Sequence, residues 1–234
     1  ADLGATGSHM VSEPLPSGFR VRGPNYLSDK IKVEAEWTGL QLLGTDLWRA
    51  SSRLEHACST QAATKVSALR TQHKDAELLL LNFLCPQKVG AMSVMMWWML
   101  RPERATDSNF GRMWRQFADG EDKWRTERLK IIPTVIDGNF LVRRVVGSKP
   151  AILGKSVKTR FYRGDGYVEA DIDISTSGTA ANLWKIVEGV AKTLVIDLAF
   201  VLEAQEAELL PERLMATIRF HKVDLARAED VQSI

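Results

Sequence analysis

Hydrophobic and polar residues alternate most regularly in VKTRFYRGDGYVEADIDI, residues 157–174, where a period of two around Asp165-Gly166 predicts a β-hairpin. A turn at that pair sets Arg160 opposite Asp171 and Lys158 opposite Asp173; a shift of one residue sets Arg160 opposite Glu169 and Lys158 opposite Asp171. Either register matches opposite charges on one face, so the other face, with Val157, Phe161, Val168, Ile172 and Ile174, is the one to bury. A second pattern governs ELLLLNFLCPQKVGAMSVMMWWML, residues 77–100. Its two apolar runs flank Pro86-Gln87-Lys88-Val89-Gly90 and predict a hairpin whose strands are apolar on both faces.

LLGTDLWRA, TLVIDLAFVLE and LMATIRFHKVDL read as further strands, the last of them after a break at Pro211. RLKIIPTVIDGNFLVRRVVG reads as two strands around an Asp137-Gly138 turn. Phe110, Met113, Trp114 and Phe117 recur at helical spacing after a cap at Asp107 or Ser108, and Gly120 stops that helix. Leu183, Ile186, Val187 and Val190 form a second helical stripe, capped by Thr176 or Ser177. QAATKVSALRTQHKDA, residues 61–76, has no firm period and reads as helix or loop.

The first ten residues, ADLGATGSHM, read as a cloning scar, residues 11–32 as an extended arm rich in turn formers, and residues 33–234 as a single domain. Several hairpins with separate helices place the chain in the α+β class, with a large curved, mostly antiparallel sheet and a few packed helices.

A composition of 45% apolar and 26% charged residues is that of a globular protein with a sizeable core. The net charge of +2 does not suggest a nucleic-acid binder. Cys58 and Cys85 make neither a disulfide framework nor a metal pair, and they predict a reducing, cytoplasmic setting. His56 and Cys58 lack the further ligands of a tetrahedral metal site, and no cofactor fingerprint is present. No apolar run approaches the ~18–20 residues of a spanning helix. GSKPAILGKS, residues 147–156, ends like a phosphate loop, but Lys149 stands where the first glycine belongs and Pro150 removes an N–H donor. A strand pattern also follows where a helix should begin.

Two features point to chemistry. Between Gly138 and Gly164 lie seven basic residues and no acidic one. With Lys158 and Arg160 paired across the hairpin, Arg143, Arg144, Lys149, Lys155 and Arg163 remain to bind an anion, each adding about 1 kcal/mol at an anionic leaflet. In strands, Arg143 and Arg144 would face opposite ways. The second feature is the Met- and Trp-rich run, whose residues Met92, Val94, Met96 and Trp98, with Trp184, Val187, Leu198 and Phe200, are candidates to line a cavity for a hydrophobic ligand. Two acidic features have structural readings: Glu169, Asp171 and Asp173 as a charge ladder, and Asp197 as a partner of an Arg or of backbone N–H groups.

The motifs VRGPNYL, LLGTDLWR, FADGEDKWRTERLKIIP, DGNFLVRRVVGSKPAILGK, RFYRGDGYVEADIDI, LVIDLAFVLE and ELLPERL, spread from residue 21 to about residue 227, resemble those of the C-terminal domain of plant Enhanced Disease Resistance 2 proteins. In that family the domain follows a pleckstrin-homology domain and a lipid-binding START domain, so the resemblance implies a lipid-sensing or membrane-associated setting. It also raises, as analogy, a START-like helix-grip arrangement. The resulting expectation is a non-enzymatic binder of a lipid-like ligand that docks peripherally on anionic membrane. The alternatives are an interaction module for an acidic protein partner and an enzyme acting on a lipid or acyl ester.

Overall fold

A computed structural model describes residues 10–232 except Asp75. The cloning-scar reading falls outside the described residues except at Met10, whose carbonyl accepts the His221 amide (2.8 Å). Thirteen strands are described: β1 (Val11–Ser12), β2 (Arg20–Arg22), β3 (Lys32–Glu34), β4 (Leu40–Ala50), β5 (Leu78–Pro86), β6 (Ala91–Leu100), β7 (Leu129–Asp137), β8 (Ala151–Ile152), β9 (Lys158–Gly164), β10 (Tyr167–Asp173), β11 (Val195–Leu202), β12 (Leu214–His221) and β13 (Glu229–Asp230). The helices are α1 (Tyr26–Asp29), α2 (Ala63–Gln72), α3 (Pro102–Ala105), α4 (Ser108–Asp119), α5 (Asp122–Arg128), α6 (Phe140–Val146), α7 (Leu153–Ser156) and α8 (Gly178–Val190).

The α+β, mostly antiparallel architecture expected from the sequence is present, with the strands divided between two main sheets. One runs β1-β12-β11-β7-β8 and the other β13-β4-β6-β5-β10-β9; β2 and β3 pair separately. All pairs are antiparallel except β5–β10 and β4–β13. The β9–β10 hairpin adopts the first register, with Arg160 opposite Asp171 and Lys158 opposite Asp173.

Both faces of the β5–β6 hairpin are buried, as its unbroken hydrophobicity requires. Leu79, Leu81, Met96 and Trp98 face the five-stranded sheet and pack with Phe200, Met215 and Ile218. There the Trp98 indole N–H donates to the Thr217 carbonyl (2.9 Å), and the Trp98 and Phe200 rings meet edge to face at 5.6 Å. Leu78, Leu80, Met95 and Trp97 face the opposite way, under residues 54–69. The segment whose sequence fits either helix or loop therefore contains α2, whose Val66 and Leu69 are buried.

The arm covers the outer face of the five-stranded sheet, with its Phe19 and Val21, joined by Ala35 just beyond β3, on Ile132, Ala199, Val201 and Leu214. Four of the quoted motifs meet in one charge network here: Arg22 pairs with Glu203 (2.8 Å) and Glu212 (3.6 Å), and Lys130 pairs with Glu212 (2.7 Å). Such buried charges persist because each is neutralised and hydrogen-bonded.

Two helix starts follow the predicted chemistry. Asp107 caps α4 by accepting from Asn109 and Phe110 N–H, and Ser177 caps α8 by accepting from Ala180 N–H. The expected second strand after Asp137-Gly138 is instead helix α6. Asn139 accepts the Val142 N–H (2.9 Å) as an N-cap, and Arg143 donates to the carbonyls of Val135, Ile136 and Gly138 (2.9–3.0 Å), so the β-branched run is coiled by its contacts rather than by its propensity. Gly147, at φ 63°, ends the helix.

Phe200 is fully buried between the sheets. Phe200→Ala should lower unfolding free energy by about 3–5 kcal/mol in urea titrations, the cost of an aromatic side chain lost from a packed interior.

Candidate functional site

The inner faces of the two sheets change character along their length. At one end they form the solid interior around Trp98 and Phe200. Towards the other end, Phe83, Val94 and Leu47 from one sheet and Ile131, Ile196, Leu198 and Phe220 from the other border a cavity of about 330 Å³. That volume lies at the small end of the ~300–1,000 Å³ typical of ligand pockets.

Helix α8 lies along the hollow through Ala180, Leu183, Trp184, Val187 and, just past its end, Ala191. None of the α8 side chains is fully buried, although the helix carries a continuous apolar stripe. A stripe packed on a solid core would be buried; this one borders empty space. The predicted stripe is also turned slightly: Leu183 and Val187 face the cavity, whereas Ile186 and Val190 are not among its walls.

The walls are apolar except for Lys149 and Ser156. The hydroxyl of Ser156 donates to the Ile152 carbonyl (3.0 Å), which leaves the exposed Lys149 as the cationic side chain at the margin. Lys149 makes no ion pair among the described residues. Trp184 borders the cavity, while its indole Nε1 is buried without a hydrogen-bond partner. GSKPAILGKS thus finds its role as a wall, since Lys149, Ala151, Leu153 and Ser156 all border the cavity.

Of the residues proposed from sequence, Val94, Trp184, Val187, Leu198 and Lys149 border the cavity. Met96, Trp98 and Phe200 fill the solid interior, and Met92 packs with Leu47, Cys85, Val223 and Ala228. These four share the apolar faces, but the opposing sheet or the adjoining segment already occupies the space in front of them. Sequence reading missed Phe83, Ile131, Pro133 and Ile196, whose strand alternation with the core residues was the available signal.

The five predicted anion binders do not converge. Arg143 is engaged with three backbone carbonyls. Arg144 and Lys155 are exposed, neither bordering the cavity. Arg163 lies at a different depression, with Trp114, Asp119 and Tyr167, where it donates to the Ala118 carbonyl (2.9 Å) and pairs with Asp119 (3.8 Å). No helix among the described residues is long and apolar enough to cross a membrane.

The carboxylates of β10 occupy the opposite, outer face of the six-stranded sheet, and all three are buried. The cross-strand ion pairs expected from the register do not form. Arg160 instead pairs with Glu55, and a loop containing Arg53, His56, Ala57 and Cys58 covers the carboxylates. Glu169 accepts the N–H groups of Ala57 (2.8 Å) and Cys58 (3.0 Å), Asp171 accepts His56 N–H (2.8 Å) and Asn82 Nδ2 (2.9 Å), and Asp173 pairs with Arg53. His56 holds a left-handed backbone, φ 51°, with its ring stacked on Tyr162 at 4.2 Å. No group of three or more His, Cys, Asp or Glu among the described residues is placed to hold a metal ion. The other buried acid, Asp197, takes the partner expected of it, a bidentate Arg219 (2.5 and 2.7 Å) directly across the β11–β12 pair.

Burial, reinforced by the neighbouring Glu169 charge, pushes the Asp171 carboxyl up to about 8, and burial likewise raises the Cys58 thiol. A carboxyl whose folded pKa exceeds its unfolded value makes the native state bind the extra proton. Its stabilising contribution is therefore complete below the ordinary carboxylate range and is lost as pH rises through about 8. The unfolding free energy from urea titrations should accordingly fall between pH 5 and pH 8, with a slope of at most about 1.4 kcal/mol per pH unit from this group. Asp171→Asn should flatten that fall, because the amide carries no titrating proton; an unchanged slope in the variant would assign the proton elsewhere.

Residues 12–224 match the family described as "Protein ENHANCED DISEASE RESISTANCE 2, C-terminal". A curated relative, "Protein ENHANCED DISEASE RESISTANCE 2-like" of Arabidopsis thaliana, is 33% identical over 217 residues, which cover 91% of this chain and 28% of that protein. The chain therefore spans little more than a quarter of that relative's length. No solved structure matches it.

Proposed function

The chain belongs to the Enhanced Disease Resistance 2 C-terminal family, and from that premise we propose that it binds a lipid-like amphipathic ligand without covalent chemistry and docks on anionic membrane. The observation that carries this reading is the cavity of about 330 Å³ between the sheets, walled almost wholly by apolar side chains. Burying an apolar chain there gains about 25 cal/mol for each Å² removed from water. A space of this size suits one acyl chain or a comparably slim molecule better than a two-chain phospholipid enclosed whole.

Polar recognition falls to Lys149, which at the margin supplies a charge for an anionic head. The START-like analogy rests on α8 alone, a single helix seated over a hollow, and forms part of this proposal. Arg144, Lys149 and Lys155, exposed and without ion pairs among the described residues, support attraction to an acidic leaflet.

Native mass spectrometry of the freshly purified protein, followed by extraction, should reveal one small apolar adduct per chain. A fluorescent fatty acid should compete with it. Val187→Trp, which fills the cavity from α8, should weaken that probe at least tenfold with little loss of stability. Lys149→Glu should weaken it about tenfold, the loss of about 1.4 kcal/mol expected when a charged hydrogen bond goes. Absence of both an adduct and probe binding would remove the ligand reading.

A further inference from the structure

Large apolar side chains are exposed together at one place beside the cavity. Phe140 is 78% and Leu141 59% exposed at the start of α6, with Ile136 and Val145 exposed nearby. Neither ring nor branch is loose at its root. Val142, between them and the rest of the helix, is buried at 1%, Asn139 caps the helix, and Arg143 fastens it to the end of β7 through three carbonyls. The fold thus holds two large apolar groups out into solvent on a rigid support, against the usual direction of the hydrophobic effect.

Three further observations say what should cover them. Arg144, on the same helix, and Lys149 and Lys155, just beyond it, are exposed and make no ion pair among the described residues. No acidic residue occurs between Gly138 and Gly164. The last residue of α6, Val146, and the nearby Lys149 are themselves walls of the cavity. Apolar side chains flanked by uncompensated cations match the boundary of an anionic bilayer, where acyl chains receive the former and phosphates the latter. An acidic protein partner would satisfy the cations but would not account for the continuity between this surface and an apolar hollow.

We propose that α6 is a membrane-inserting element: Phe140 and Leu141 enter the acyl region of an anionic bilayer, placing the Val146–Lys149 margin of the cavity against the membrane so that ligand exchanges without crossing bulk water. The exchange half of this statement rests on the ligand reading above. The insertion half rests on the exposed side chains themselves.

The test uses phosphatidylcholine vesicles with and without phosphatidylserine. The wild-type protein should co-sediment with the phosphatidylserine vesicles, and Phe140→Ser with Leu141→Ser should reduce that binding at least tenfold. Both positions are exposed, so the double variant should keep the wild-type melting curve and its affinity for the soluble fluorescent fatty acid. Phe140→Trp should gain fluorescence quenching by brominated acyl chains over the wild-type background. Wild-type binding to phosphatidylserine vesicles retained in full by the double variant would overturn the inference, as would a Phe140→Trp variant quenched no more than the wild type, or a wild-type protein that ignores these vesicles. Lost vesicle binding in the double variant, alongside a wild-type protein that never takes up the fatty acid, would support insertion by α6 while removing the cavity as its purpose.

Discussion

Everything in the molecule follows from how closely two β-sheets can approach. Facing sheets pack about 10 Å apart, filled by one interdigitated layer of side chains. An α-helix with its side chains is itself about 10–12 Å across. Where Trp98 and Phe200 meet, the sheets close fully; where α8 and both inner faces border the cavity, they do not. One continuous set of strand faces therefore serves as core at one end and as a binding hollow at the other.

The outer faces keep that arrangement stiff. On the six-stranded sheet, α2 and the loop before it cover Met95 and Trp97, and that loop delivers the N–H groups of His56, Ala57 and Cys58 to the carboxylates of β10. On the five-stranded sheet, the arm is fastened through Arg22 to Glu203 and Glu212. With both outer layers carrying buried polar contacts, the side of the fold bearing α6 and α8 is where exposed apolar groups stand beside the cavity.

The hairpin at residues 157–174, the caps of α4 and α8 and the α+β class were legible because each depends on local chemistry: a period of two, a turn pair, or a side-chain oxygen before a helix; the hairpin's register was not, since charge matching allowed two. What periodicity reports is a face, not what stands in front of it. Val94 and Met96 share a face, and only the path of a distant helix decides that one borders a hollow and the other is packed. Helix α6 reads as a strand because Phe-Leu-Val-Arg-Arg-Val-Val favours extended backbone by propensity; the Arg143 bonds that coil it lead to β7. The partners of Glu169 and Asp171 were missed for a similar reason, since backbone N–H groups of a distant loop leave no mark in side-chain pattern.

The parallel pairing of β10 with β5 carries a kinetic meaning. Tyr167 lies beside Leu78, and between those two points the chain leaves the six-stranded sheet, lays down β7 and β8 in the other one, and returns. The strands of the two sheets are thus interleaved along the chain and their pairings join distant segments, so the domain should fold slowly, as folds dominated by distant pairings do. The protein is not divisible into two independently folding halves, and a ligand that steadies α8 would be felt by the whole barrier to unfolding.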